Sequence, residues 1–183
     1  VDAPSHIVLQ LLKEKPHAID SLILGRSILA YLDDMKTTYV QWLAYGAIWP
    51  IGARDFLVVT TDEAFNLSNN TGFIIGSASV DHICEEEMDE TTVQIKEKKN
   101  NDEFTRSGLR LAGYVGIPNE TGGTELHLYV DIDMVSYIPA WMIQILAQYG
   151  LSEVLNRIRK VSNMIINNNN DEEERINILS APT

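Results

Sequence analysis

A chain of 183 residues is long enough to bury one substantial core, and its size argues for a single domain. Its 26 Asp and Glu against 14 Lys and Arg give a formal charge of -12, which opposes binding to nucleic acid or to a strongly anionic membrane. The single cysteine, Cys84, excludes an internal disulfide and a cysteine-based metal cluster, and favours a reducing compartment.

The first segment, IVLQLL, has the spacing of a short amphipathic surface helix, with Asp2 or Ser5 as its N-cap and Pro16 closing the region. From Ser27 onward the pattern becomes that of strands: SILAYL, TTYVQWLAYGA, DFLVVTT and GFIIGSASV. The turn formers Asp33-Asp34, Trp49-Pro50-Ile51-Gly52 and Asn69-Asn70-Thr71-Gly72 separate them, which predicts an antiparallel sheet. Residues 84–107 hold most of the charge runs and one alternating piece, TTVQIKEK, and read as a long solvated loop or an exposed hairpin. Two more strands follow, GLRLAGYVGIP and GTELHLYVDIDM. Pro139 then suits the first turn of a helix whose apolar stripe is Ile138, Trp141, Met142, Ile145, Leu146 and Tyr149. Past Gly150 the stripe resumes out of phase at Leu151, Val154, Leu155, Ile158 and Val161, which predicts a kink there. Residues 166–183, Asn- and Glu-rich and without periodicity, read as a disordered tail. The longest apolar stretch, around IPAWMIQILA, is too short for a membrane span. Strands followed by one long helix give an α+β fold.

Alternation in TTYVQWLAYGA puts Tyr39, Gln41, Leu43 and Tyr45 on one strand face and Val40, Trp42 and Ala44 on the other. One polar residue among apolar ones fits the lining of a lipid-sized pocket, and equally a filled core in which Gln41 bonds a neighbour. Periodicity leaves both open.

The segment WPIGARDF before a strand, then SASVDH, then GGTELHLYVDIDMVSYIPAWMI, in this order and spacing, resembles the START family of lipid-transfer domains over about Val1 to Lys160. The resemblance implies a helix-grip fold over residues 1–165, a curved antiparallel sheet packed on a long C-terminal helix. It further implies a tunnel for one lipid, gated by that helix and a neighbouring loop. The positions that would line the tunnel are Tyr39, Gln41, Leu43, Val58, Thr60, Leu111, Trp141, Met142 and Ile145. Arg54, Asp55, Asp133 and Pro139 would be structural; Arg54 and Asp55, adjacent on a strand, point to opposite faces and cannot both line a cavity. The family's opening helix and first strands have no counterpart ahead of Val1, so the resemblance implies an N-terminally incomplete domain. The acidic run Glu85-Glu86-Glu87 disfavours docking of that loop to anionic lipid. Some sterol-binding members place a carboxylate and an arginine in the cavity; the matching positions here, Gln41 and Thr60, predict a ligand that is neutral or zwitterionic in its buried part.

Other residues offer little chemistry. His6, His17, His82 and His127 lack metal-site spacing, and three glutamates beside Cys84 disfavour a nucleophilic thiolate. Asp131 and Asp133 share a strand face, as a paired-carboxylate site would, and are read as structural. The expectation is a non-enzymatic, monomeric, cytoplasmic lipid carrier in transient contact with a membrane. It needs no cofactor or metal, and its lipid is a sterol, a phospholipid or a sphingolipid. The alternatives are a lipid-sensing module of a larger multidomain protein and a helix-grip cyclase or hydrolase; the last needs a converging acid–base pair that the sequence does not offer.

Overall fold

Spacings of three and four occur at the two ends of this chain and alternation between them, and the architecture follows that division. The computed structural model describes residues 1–48, 51–67, 70–80, 103–133, 141, 144, 148 and 150–180; at residue 133 and from 168 onward only the backbone is described.

Helix α1 spans Ser5–Glu14 and turns Val8, Leu11 and Leu12 inward, so it supplies core rather than only covering the surface. Neither Asp2 nor Ser5 caps it. Pro4 holds the N-cap position, and its carbonyl accepts from the Ile7 and Val8 N–H groups at 3.0 and 3.2 Å. Buried Ser5 shares a 3.3 Å hydrogen bond with the Thr124 hydroxyl instead. Pro16 opens a second short helix, α2, Pro16–Ile19, where its missing N–H costs nothing.

The strands are β1 (Ile23–Tyr31), β2 (Thr38–Tyr45), β3 (Arg54–Leu67), β4 (Asn70–Ser79), β5 (Thr105–Arg106), β6 (Gly108–Pro118) and β7 (Thr124–Asp133). Among the described residues they form one sheet in the order β1-β2-β3-β4-β6-β7, antiparallel throughout. The short β5 pairs in parallel with the start of β3, beside Arg54 and Asp55. Strand β1 begins at Ile23, ahead of the expected Ser27, because Gly25 and Arg26 interrupt the apolar run by which a strand is recognised. Of the expected loop 84–107, residues 84–102 lie outside the described ones; its end is β5.

Helices cover one face of the sheet, and part of the other carries an apolar cluster of its own. On the first, Phe73 and Ile75 pack with Ala3, Val8, Leu11, Leu12, Ile19 and Ile158 from the helices. Gly116 makes this packing possible, since a Cβ there would sit 2.1 Å from the Phe73 ring. On the outer face Val40, Leu57 and Val80 form a second cluster, with Trp42 packed edge-on to Phe104.

The C-terminal helix α3 spans Leu151–Ser180. Gln148 and Gly150 lie in a wider π-type turn just ahead of it. Such a turn inserts one residue into the helical repeat, which is the physical form of the phase shift at Gly150. The Ser152 hydroxyl donates to the Gln148 carbonyl at 2.7 Å, supplying a partner where the regular ladder is disturbed. Beyond it Val154, Ile158 and Val161 of the second stripe contact the core, and Ile165 and Ile166 extend it. The backbone stays helical over residues 166–180, where the lack of periodicity led to the expectation of a tail. An apolar stripe is not required for helix, and the Glu and Arg of DEEER are good helix formers.

Candidate functional site

Register decides which side chains meet. Pairing of Tyr39 with Thr60, Gln41 with Val58, Leu43 with Phe56, and then Thr60 with Ser77 and Ser77 with Ala112, puts these residues on the helix-facing side of β2, β3, β4 and β6. Five predicted lining residues, Tyr39, Gln41, Leu43, Val58 and Thr60, are therefore brought together.

A polar row crosses this face. The Arg26 Nε donates to Gln41 Oε1 at 2.7 Å, Gln41 Nε2 donates to Thr60 Oγ1 at 2.6 Å, and the Thr60 and Ser77 hydroxyls are 2.8 Å apart. A second Arg26 nitrogen donates to the Lys13 carbonyl and the third lies 3.4 Å from the Tyr39 hydroxyl. Next along β3, buried Asp62 is paired with Lys13 at 2.6 Å. Sequence reasoning missed Arg26, which stands just ahead of the run SILAYL and has no motif around it. Its presence puts a charge beside the positions from which a neutral cavity was expected.

Beside the polar row lies an apolar floor of buried Phe56, Val58 and Leu109, with Leu43, Tyr45, Ala112 and Ile132 against it only half-buried. Tyr45 and Phe56 meet edge-to-face with centroids 5.7 Å apart. Burial, then the Asp20 carboxylate, pushes the Tyr114 phenol up to about 12, and the same causes raise Tyr45. Burial also raises Tyr39. Tyr45 and Tyr114 are nonetheless only half-buried.

Leu111 is not part of this floor. It is 49% exposed, pairs with Asp131 and faces the opposite side from Ala112. An irregularity between Leu109 and Leu111 shifts the alternation, so Leu109 takes the inward position. Trp141 is 58% exposed. Met142, Ile145 and Pro139 lie outside the described residues.

Arg54 and Asp55 do point to opposite faces. The Arg54 guanidinium donates to Ser107 Oγ at 2.9 Å. Asp55, 1% exposed, accepts from the Trp42 indole N–H at 2.8 Å and from two Arg106 nitrogens at 3.0 and 2.8 Å. Backbone bonds from Thr105 to Ala53 and from Ser107 to Asp55 complete the attachment. The pair fastens the chain that returns into β6 onto β3. Arg110 lies 3.8 Å from Asp131, both well exposed, and the Asp133 backbone pairs with Gly108.

The described histidines stay apart: His17 Nδ1 is 2.9 Å from the Ile23 carbonyl and His127 lies 3.1 Å from Glu125. His82 and Cys84 lie outside the described residues. Among the described residues no cluster of three or more His, Cys, Asp or Glu has metal-binding geometry. No helix among them is long and apolar enough to cross a membrane. A cleft of about 350 Å³ opens at the far end of the sheet between Pro4, His6, Leu9, Asn70, Thr71 and Asn119, away from the polar row.

An open antiparallel sheet holding a long C-terminal helix against one face, with polar groups set into that face, is the helix-grip arrangement. The START domain family model matches residues 24–165, and the chain belongs to the START family. Solved structures agree in fold. The human StarD13 (DLC2) lipid transfer and protein localization domain is similar at 21% identity and TM-score 0.68, over 87% of this chain and 72% of that one. Human StAR-related lipid transfer protein 5 gives 14% and 0.71, over 90% and 73%. Human STARD10 gives 14% and 0.65, over 99% and 69%. No curated protein matches the chain.

Proposed function

We propose that the protein binds one lipid between the helix-facing side of its sheet and the C-terminal helix, and carries it between membranes. One observation carries this reading. Tyr45 sits deep enough for burial to raise its phenol, while it, Leu43, Ala112 and Ile132 keep uncovered surface around the buried Phe56, Val58 and Leu109; Tyr114, also raised by burial, packs from the next cluster against Phe73 and the helices. A filled core would cover Leu43, Tyr45, Ala112 and Ile132; an enclosed, mostly apolar space leaves them in this state. The ligand's apolar tail gains roughly 25 cal/mol for each Å² it removes from water, which holds a lipid without covalent chemistry.

Release then requires the helix or its neighbouring loop to loosen at a bilayer, and the π-type turn at Gln148 and Gly150 is a place where the regular ladder is disturbed. The domain acts as a monomer in the cytoplasm, touching membranes transiently. Catalysis is not part of this reading: the groups along the polar row are engaged with one another, and no nucleophile with an adjacent base is set among them. The test is to incubate the purified chain with a lipid extract, re-isolate it, and identify what stays bound by mass spectrometry. One lipid per chain supports the reading; an empty protein that turns over an ester substrate overturns it in favour of a hydrolase.

A further inference from the structure

Resting on that lipid-binding reading, we propose that the row Arg26, Gln41, Thr60 and Ser77 is a donor surface, and that the buried polar part of the ligand is a cluster of acceptor oxygens of the phosphodiester kind rather than a lone hydroxyl. The argument follows the protons. A guanidinium only donates, so the Gln41 oxygen must face Arg26, at 2.7 Å, and the Gln41 amide NH2 must face Thr60, at 2.6 Å. Thr60 therefore accepts. The Thr60 and Ser77 hydroxyls hold two protons, and their mutual 2.8 Å bond uses one of them. When Thr60 donates in that bond, the half-buried Ser77 keeps its proton for a ligand; in the reverse orientation the spare proton is that of buried Thr60.

The other groups in the row agree. Arg26 has five N–H groups, and its three contacts to Gln41, Lys13 and Tyr39 leave two over. The Gln41 amide keeps a second N–H, and Tyr39, which accepts from Arg26, keeps its own O–H. The row thus keeps several N–H and O–H groups without a protein acceptor. Charge points the same way: among the described residues no carboxylate lies within 4.0 Å of Arg26, whereas the neighbouring Asp62 is already paired with Lys13. Asp20, felt by Tyr45 and Tyr114, is turned to the Leu22 N–H at 2.9 Å. A half-buried cation bonded only to neutral acceptors favours an anionic oxygen over a neutral one. Ser77 and Arg26 both retain accessible surface through which such a group can reach them.

The test uses the 183-residue chain and vesicles containing equal amounts of phosphatidylcholine and cholesterol, with the bound lipid extracted from re-isolated protein and identified by mass. Phosphatidylcholine is expected in roughly tenfold excess over cholesterol, the discrimination of one charge-assisted hydrogen bond. Gln41→Glu keeps the shape, neutralises Arg26 and can no longer donate to Thr60. It should lower the ratio of phosphatidylcholine to cholesterol captured by about tenfold. Ser77→Ala, at a half-buried site tolerant of the change, should lower phosphatidylcholine capture severalfold in a protein of unaltered melting temperature. Excess inorganic phosphate should not displace the lipid; displacement assigns the row to a free anion and overturns the proposal. Cholesterol as the main ligand, or phosphatidylcholine capture indifferent to both variants, overturns the donor assignment alone. A folded native chain that takes up neither lipid overturns the lipid-binding reading itself.

Discussion

Asp55→Ala tests the attachment of the returning chain to β3. The carboxylate is 1% exposed and accepts three hydrogen bonds, from Trp42 at 2.8 Å and from Arg106 at 3.0 and 2.8 Å. Removing one member of a buried ion pair costs about 3–5 kcal/mol, and withdrawing an acceptor from a buried indole N–H falls within the same figure. Arg106 is 25% exposed and can turn part of its charge to water, so the lower part of that range, about 3–4 kcal/mol, is expected. With a urea slope of roughly 2 kcal/mol/M for a chain of this size, the unfolding midpoint should fall by about 1.5–2 M. Asp55→Asn keeps one acceptor and should fall between the two. Arg106→Met, alone and combined with Asp55→Ala, closes a double-mutant cycle whose coupling should exceed about 1 kcal/mol. A midpoint shift below about 0.5 M, or additive single effects, would refute the brace.

Three further outcomes are expected. Asp33 in the β1–β2 turn feels a desolvation that raises its pKa, outweighed by hydrogen bonds from Thr37 and Thr38 that hold it at about 2. Because the folded value is depressed from 3.8, its stabilisation is present above about pH 4 and lost as pH falls towards 2. Asp33→Ala should therefore be less stable than the native chain at pH 6, with the gap closing between pH 4 and 2; a constant gap in urea midpoints contradicts this. Leu109→Ala should cost about 2–5 kcal/mol by urea denaturation and Leu111→Ala well under 1, and equal costs would return Leu111 to the interior. At Gly150 an added methyl meets no described atom within 4 Å, so packing against the described residues is not the reason for glycine there. Gly150→Ala should raise the melting temperature, by up to about 1 kcal/mol of helix propensity, and slow lipid transfer between vesicles at unchanged occupancy; native transfer rates in the stabilised variant would remove the hinge.

Strands β2, β3, β4, β6 and β7 were legible because their alternation is long and their turns carry Asp, Asn and Gly, and alternation alone placed Tyr39, Gln41 and Leu43 on one face. The break near Gly150 was legible because a helix cannot change the phase of its stripe without a local insertion. What escaped depends on geometry that sequence does not encode locally. Leu109 replaces Leu111 because of one irregular residue in β6, and no feature of GLRLAG announces it. Arg26 reaches Gln41 from an edge strand whose apolar run is interrupted by Gly25 and Arg26, which reads as a break in the pattern. Arg106, the partner of Asp55, lies 51 residues away in a charge-rich segment where one more arginine carries no signal.

Ala112→Trp tests most directly the proposal that a lipid lies against Leu43, Tyr45, Ala112 and Ile132. Ala112 is half-buried, faces the helices beside Ser77, and has little side chain of its own to fill the gap. Forcing an indole into a packed core costs about 1–3 kcal/mol or more, whereas an indole entering an open apolar space gains buried area. Native mass spectrometry after vesicle incubation, with the melting temperature of the same samples, reads both quantities. The account predicts one lipid on the native chain and none on the Ala112→Trp variant, which should melt at or above the native temperature. A variant that melts well below the native chain, beside a native chain that carries no lipid, would show a filled core and contradict it.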